Sequence, residues 1–177
     1  MYLKIFLNSI LIIFLLIFQI SFISSLPGVF SNINILLIFL VYMLMISNLS
    51  SALIYAIALG ALMDIFSFSF FGAYLGSYIF SIIIVNFLLV NFFTNRSLYA
   101  FIALIISASI LSFFFITIIS NIIFIFSGDL LISFNKQFFS SVLEQLILNS
   151  IFMVLIFYLT NFLSNSFRPV FLVNKKK

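Results

Sequence analysis

The chain has 177 residues, of which 66% are hydrophobic and only 6% charged, and its mean hydropathy is +1.47. Soluble domains carry about 25% charged residues, so this chain has too little polar surface to face water on all sides. It contains no cysteine and no histidine, which excludes a disulfide framework, a thiol nucleophile, an imidazole base and the usual zinc sites. The composition predicts a helical integral membrane protein without a metal or other cofactor.

Six apolar stretches are long enough to cross a bilayer as helices. In chain order they cover residues 5–23, 29–47, 51–68, 72–93, 98–126 and 142–163. A cleaved signal peptide is the alternative for the first stretch, but no A-x-A-like cleavage site follows it. The fifth stretch exceeds one upright crossing, so it is expected to tilt or to extend into the interface. The prediction is one all-α membrane domain over residues 1–177 with six transmembrane helices.

The lysines and arginines predict the orientation of these helices. If both termini are cytoplasmic, the inner side holds all the basic residues except Lys136, namely Lys4, Arg96, Arg168, Lys175, Lys176 and Lys177. This excess of positive charge on one side favours an even number of spans and cytoplasmic termini. The basic tail is interpreted as a topology determinant, with attraction to anionic lipid as the alternative.

The segment between the fifth and sixth stretches mixes apolar and polar residues. Residues 128–141 alternate the two kinds of side chain, which predicts an amphipathic segment on the outer surface, facing lipid or a partner. Glu144 follows at the predicted start of the sixth helix. An acid at that position is explained by its favourable interaction with the positive end of the helix dipole.

Small residues form a row on one face of the third predicted helix. Residues four apart lie on the same side of a helix. The row consists of Ala52, Ala56, Gly60 and Asp64. Such a strip lets another backbone approach closely, and the fourth helix offers a G-x-x-x-G pattern at Gly72 and Gly76. The two helices are therefore predicted to form a tight hairpin in which these small faces meet.

Asp64 is the only aspartate within a predicted span. Unpaired at the middle of a membrane, it would cost roughly 2.5–3.5 kcal/mol, so it needs a local partner. The first turn of the fourth helix, near Gly72, offers unpaired N–H groups, and Ser67 and Ser69 offer hydroxyls. We expect Asp64 to brace the start of the fourth helix. A contact to a partner protein and a proton or ligand role are the alternatives.

The string around Asp64 resembles the signature of the MreD family, the small membrane subunit of the bacterial rod-shape (elongation) machinery. The family pattern is a glycine, an aspartate four residues later, an aliphatic residue, a small polar stretch and a glycine eight residues after the aspartate. Gly60, Asp64 and Gly72 satisfy it. The chain departs from the family at residues 32–34 and 149–150, where family members commonly carry prolines.

The resemblance implies a fold and a function. The fold would be similar to the six-helix substrate-binding component of energy-coupling-factor transporters. The protein would be a non-catalytic scaffold in the cytoplasmic (inner) membrane that binds the single-span protein MreC. Through it, the protein would join MreB, RodA and a transpeptidase that insert lateral peptidoglycan. The motif for this role would be Gly60, Asp64, Ser67, Gly72 and Gly76.

Two other functions compete with this interpretation. The first is a vitamin-binding transporter component, which needs convergent polar groups in a cavity. Its candidate residues are Gln19, Asn86, Asn91, Asn121, Asn149 and Asn161. The second is an intramembrane enzyme, which would need two facing aspartates or several metal-binding acids. Asp129, the second aspartate, lies in a predicted loop, so the enzyme is disfavoured.

Overall fold

The computed structural model describes residues 2–67, 71–93, 97–127 and 136–163, with side chains over 6–67, 71–93, 97–122 and 138–162. The long elements in these ranges are all α-helices. They are α1 (Tyr2–Ile17), α2 (Ile35–Ile46), α3 (Leu49–Phe66), α4 (Ala73–Phe92), α5 (Leu98–Ser127) and α6 (Lys136–Leu163). Short π-helical and 3-10 turns lie between α1 and α2. No strand occurs in the described ranges, so the predicted all-α class is confirmed.

Five helical segments are long and apolar enough to cross a membrane. They are Phe6–Ser25, Leu49–Phe66, Ala73–Phe92, Leu98–Ile122 and Phe138–Phe162. Their outward faces carry many large apolar side chains, including Phe14, Phe87 and Leu155, each at least half exposed. In water such faces would be unfavourable, whereas lipid covers them without cost. The fold is that of a multi-pass helical membrane protein.

The second predicted span is not one long helix. Residues 29–47 hold the end of a 3-10 turn (Gly28–Asn32), two residues outside any helix, and then α2 with 12 residues. At 1.5 Å per residue α2 measures about 18 Å, against roughly 30 Å for a hydrocarbon core. Asn34 explains the late start, because its side chain accepts a hydrogen bond from the Leu37 N–H and caps α2. A hydropathy profile detects the apolar residues around Asn34 but not the hydrogen bond by which Asn34 caps α2.

The start of α6 also differs from the prediction. The helix begins at Lys136 rather than at 142, so the last six residues of the predicted surface segment are its first turns. Phe138 packs edge-to-face against Phe113 of α5, with ring centroids 5.0 Å apart. Residues 128–135 lie outside the described part of the chain. Residues 136–141 are therefore continuous with α6, and their location on the outer surface stays a prediction.

The core of the bundle surrounds α2. This helix contacts each of the other five, and seven of its 12 residues are buried. Aromatic pairs connect it to its neighbours. The rings of Phe39 and Tyr55 (α3) pack edge-to-face with their centroids 5.4 Å apart. The ring centroids of Tyr42 and Phe101 (α5) are 6.3 Å apart. α2 is thus a short central helix that the longer ones enclose, rather than an independent lipid-facing span.

The charged residues that predict the orientation are not described. Arg96, Arg168, Lys175, Lys176 and Lys177 lie outside the described residues, as do Ser69, Asp129 and the side chains of Lys4 and Lys136. The cytoplasmic location of both termini stays a prediction.

Candidate functional site

Asp64 closes the turn between α3 and α4, as expected. Its side chain is 3% exposed and accepts three backbone hydrogen bonds from the start of α4. The N–H of Gly72 donates to Oδ2 at 2.8 Å, that of Tyr74 to Oδ1 at 2.8 Å and that of Leu75 to Oδ2 at 3.2 Å. These N–H groups have no partner within their own helix, and the helix dipole favours negative charge beside them. The carboxylate therefore serves as the cap of α4, supplied from the neighbouring helix.

Gly60 lets the two helices come into backbone contact. A Cβ atom built on Gly60 would lie 2.6 Å from the Leu75 Cα, closer than real Cβ atoms approach, and 3.1 Å from the Leu75 nitrogen. The predicted row is buried along its whole length: Ala52, Ala56, Gly60 and Asp64 all lie inside the bundle. Gly60 and Asp64, one turn apart on α3, thus both contact Leu75.

The predicted role of the G-x-x-x-G pattern is wrong. Gly72 precedes α4 as its N-cap and has φ +98°, a left-handed conformation that favours glycine. The four-residue spacing aligns two residues only when both are helical, so Gly72 and Gly76 do not share a face. A Cβ on Gly76 would meet Ile119 of α5 at 3.4 Å, which places Gly76 against α5 instead of α3. Ser67 follows α3 as its C-cap, and its N–H donates to the Met63 carbonyl at 2.8 Å.

A second polar cluster, which the sequence patterns did not predict, holds the start of α2. Gln19 lies in a π-helical turn (Phe18–Phe22) and is buried. Its Nε2 donates to the Ile33 carbonyl at 3.0 Å, and its Oε1 accepts from the Ile35 N–H at 2.8 Å. Asn34 is the residue between Ile33 and Ile35, and its Oδ1 accepts a hydrogen bond from the Tyr78 hydroxyl of α4 at 3.3 Å. The polar backbone leading into α2 is thereby satisfied inside the protein, as a membrane requires.

Two residues of α6 complete this cluster. Asn149 is fully buried; its Oδ1 accepts from the Asn34 N–H at 3.0 Å and its Nδ2 donates to the Ser109 hydroxyl at 2.9 Å. Glu144 accepts from Asn32 Nδ2 at 2.8 Å and from the Ser140 hydroxyl at 2.9 Å. Because α6 begins at Lys136, Glu144 lies two turns inside the helix. The expectation that it stabilises the helix start is therefore wrong; it instead connects α6 to the 3-10 turn before α2.

Replacing Asn149 by leucine is expected to destabilise the bundle by about 1–3 kcal/mol, since the Asn34 N–H and the Ser109 hydroxyl lose their partner inside the protein. The matched control is Asn161→Leu, the same change at an exposed position of the same helix, with an effect expected within about 0.5 kcal/mol. The measurement is unfolding in mixed micelles followed by circular dichroism. Equal effects at both positions would show that the Asn149 hydrogen bonds do not stabilise the fold.

A cavity lies beside the cluster, where α2 and α4 begin. Its volume is about 170 Å³. It is lined by Asn32, Asn34, Tyr74, Phe113, Ile116, Thr117, Ser141 and Gln145. None of the six amides proposed from sequence for a vitamin site is among these residues. Asn91 and Asn161 are exposed, whereas Gln19 and Asn149 are buried and engaged in the hydrogen bonds above.

The fold and the Asp64 site define a multi-pass membrane protein whose α3–α4 hairpin is braced by a buried carboxylate. No family model, curated protein or solved structure matches the chain.

Proposed function

We propose that the chain is a non-catalytic scaffold of the bacterial cell-shape (elongation) complex. It would lie in the cytoplasmic membrane with both termini inside and bind an MreC-type single-span protein, supporting lateral peptidoglycan synthesis with MreB, RodA and a transpeptidase. The observation that carries the proposal is the α3–α4 hairpin. There, Gly60, Asp64 and Gly72, the three residues that match the MreD pattern, each have a distinct geometric role.

The charged groups fit a scaffold better than a catalyst. Asp64 and Glu144 are the only acids with described side chains, and both hold helices together through hydrogen bonds. An acid–base pair would need its carboxylates to be close to one another and to a substrate. Among the described residues, no cluster of three acids, histidines or cysteines exists that could bind a metal ion.

The exposed end of the hairpin offers a surface for the partner. Phe66 and Phe71, on either side of the turn, are 51% and 75% exposed. Large aromatic residues contribute strongly to protein interfaces because they bury much area at little entropic cost. A hairpin fixed by Asp64 would present these rings in one arrangement, and we propose that the partner's membrane helix contacts them.

Phe71→Ala is expected to lower recovery of a tagged MreC-type partner about tenfold, the loss of an aromatic contact worth roughly 1.4 kcal/mol. The experiment co-expresses the chain with the MreC-type protein of the same genome and quantifies both after purification. Phe92→Ala is the control, because Phe92 is 69% exposed at the opposite end of α4. Thermal unfolding of the purified variants must be unchanged. Unaltered recovery with Phe71→Ala would contradict this docking surface, and no recovery with the native chain would contradict the scaffold function.

The second candidate function, a vitamin-binding transporter component, rests on the cavity beside α2. Its volume of about 170 Å³ is below the roughly 300–1,000 Å³ of sites for drug-sized ligands. The cavity therefore favours a smaller ligand than a vitamin, and the scaffold is the better supported function. Equilibrium binding of labelled vitamins to the purified protein separates the two.

A further inference from the structure

One amide of α4 has no partner in the bundle. Asn86 is half-buried, and its side chain forms no hydrogen bond with the described residues. Its amide atoms are accessible at the surface, because the buried, unpaired side-chain atoms in the described part of the chain are Ser81 Oγ and Gln145 Oε1. Asn91, the other amide of α4, donates to the Phe87 carbonyl of its own helix at 2.8 Å. Asn86 thus reaches the surface without the kind of bond that Asn91 makes.

The position of Asn86 along α4 makes the missing partner unfavourable. α4 is apolar enough to cross a membrane over its whole length, Ala73–Phe92. Asn86 lies six residues before Phe92, about 9 Å from the end of the helix at 1.5 Å per residue. This distance exceeds the length of an asparagine side chain, so the amide does not reach the head groups. An unpaired amide among lipid chains is unfavourable, and amides in membrane helices commonly bond to another helix.

The residues around Asn86 form a row that faces away from the core. Ile79, Ile83, Asn86 and Val90 follow one another at intervals of four, three and four residues. This row is termed the α4 seam. Ile83 and Val90 are 44% and 66% exposed, and the other two are half-buried. The intervals are those of helices that pack side by side as in a coiled coil, where a single asparagine fixes which residues meet.

A second copy of the chain supplies the group that Asn86 lacks. An asparagine amide both donates and accepts hydrogen bonds, so two of them can satisfy each other. Two copies with the same orientation in the membrane can be related by a two-fold axis along the membrane normal, which places Asn86 of each copy at the same depth. Another protein would need its own polar side chain at that depth, whereas a second copy has one by symmetry.

We propose that the α4 seam is a dimer interface between two copies of this chain. The Asn86 amides donate to and accept from each other across the two-fold axis, and Ile83 and Val90 pack against their counterparts. The interface does not depend on the scaffold function. Phe66 and Phe71, the residues proposed to contact the MreC-type partner, lie at the other end of α4, so either proposal can fail without the other.

Cysteine cross-linking tests whether the seams of two copies meet. The chain has no cysteine, so a single introduced one reports contact between copies. In a parallel pair each seam residue faces its own counterpart. Val90→Cys, oxidised with copper phenanthroline in native membranes, is expected to give a disulfide-linked product of about twice 20.3 kDa. Tyr99→Cys is the control, because Tyr99 is 81% exposed at the start of α5, the same end of the bundle, and is expected to remain monomeric.

Substitution of Asn86 tests the hydrogen bond itself. The full chain, labelled at its amino terminus with a fluorescent donor or acceptor, is reconstituted in phosphatidylethanolamine–phosphatidylglycerol liposomes at a series of protein-to-lipid ratios. Asn86→Leu is expected to weaken the dimer about tenfold, or about 1.4 kcal/mol, since an interhelical hydrogen bond is lost. Asn86→Gln keeps an amide and is expected to retain most of the energy transfer. Asn91→Leu is the matched control and is expected to leave the dimer unchanged, because Asn91 bonds to its own helix.

Three results would overturn the proposal. The first is an absence of energy transfer at every protein-to-lipid ratio. The second is an Asn86→Leu dimer as strong as the native one, with circular dichroism showing that both are folded. The third is a Val90→Cys product of a different mass, which would show that another protein covers the α4 seam.

Discussion

Gly60→Leu is expected to destabilise the protein by at least about 3 kcal/mol. Even the Cβ of this side chain would lie 2.6 Å from the Leu75 Cα, and a backbone atom cannot rotate away as the end of a side chain can. Helices α3 and α4 would have to separate, which weakens the hydrogen bonds that the start of α4 donates to the Asp64 carboxylate. Overpacking of a tight core typically costs about 1–3 kcal/mol, and here the overlap is with backbone. The measurement is the unfolding free energy in mixed micelles, followed by circular dichroism.

Gly60→Ala and Gly76→Ala form the matched pair for this prediction. Both introduce one methyl group into a helix, and both gain up to about 1 kcal/mol of helix propensity. At Gly60 the methyl meets the Leu75 backbone, whereas at Gly76 it lies 3.4 Å from the terminal Cδ1 of Ile119, which can shift. We expect Gly60→Ala to destabilise and Gly76→Ala to be neutral or stabilising. Equal stability of the two variants would contradict the close contact between α3 and α4.

The hairpin could be predicted from sequence because its determinants are local. Ala52, Ala56, Gly60 and Asp64 recur every four residues, and the start of α4 follows Asp64 by nine positions. Helical geometry alone then places the acid beside free N–H groups. The same rule failed for Gly72, because a spacing of four says nothing about a residue outside the helix. Its left-handed backbone is a property of the turn, which the pattern did not specify.

The cluster at the start of α2 could not be predicted in this way. Its hydrogen bonds connect residues far apart along the chain: 44 positions separate Asn34 from Tyr78, 115 separate Asn34 from Asn149, and 112 separate Asn32 from Glu144. No periodicity within one helix encodes such pairs. The available signal was the number of amides near one end of the predicted spans. Single amides in membrane helices commonly bond to other helices, but only the fold shows which ones meet.

The short length of α2 could not be predicted from the sequence for the same reason. Apolar residues on all sides of 35–46 are compatible with a lipid-facing span and with a helix enclosed by protein. The difference depends on the other five helices, whose lateral order hydropathy does not contain. Gln19 and Asn149 satisfy the backbone before α2. A short helix preceded by irregular chain is therefore stable inside the bundle, although it would not be stable in lipid.

Asp64→Ala is expected to cost at least about 3 kcal/mol, because it leaves the N–H groups of Gly72, Tyr74 and Leu75 without an acceptor where water is scarce, at about 1–3 kcal/mol each. Asp64→Asn should fall between the native protein and Asp64→Ala. The one asparagine oxygen can accept only some of the three N–H bonds, and the asparagine NH₂ group lies against the N–H groups that are left. The negative charge that the helix dipole favours is also lost.

The control for charge is Glu144→Gln, at the other acid with a described side chain. It also removes one negative charge, but Glu144 accepts from the side chains of Asn32 and Ser140, and one glutamine oxygen retains part of that bonding. Its cost is expected to be about 1 kcal/mol. The ranking of unfolding free energies is therefore native, Glu144→Gln, Asp64→Asn and Asp64→Ala, from most to least stable. An Asp64→Ala variant as stable as Glu144→Gln would contradict the capping role, because the three N–H bonds at the start of α4 would then contribute nothing to the fold.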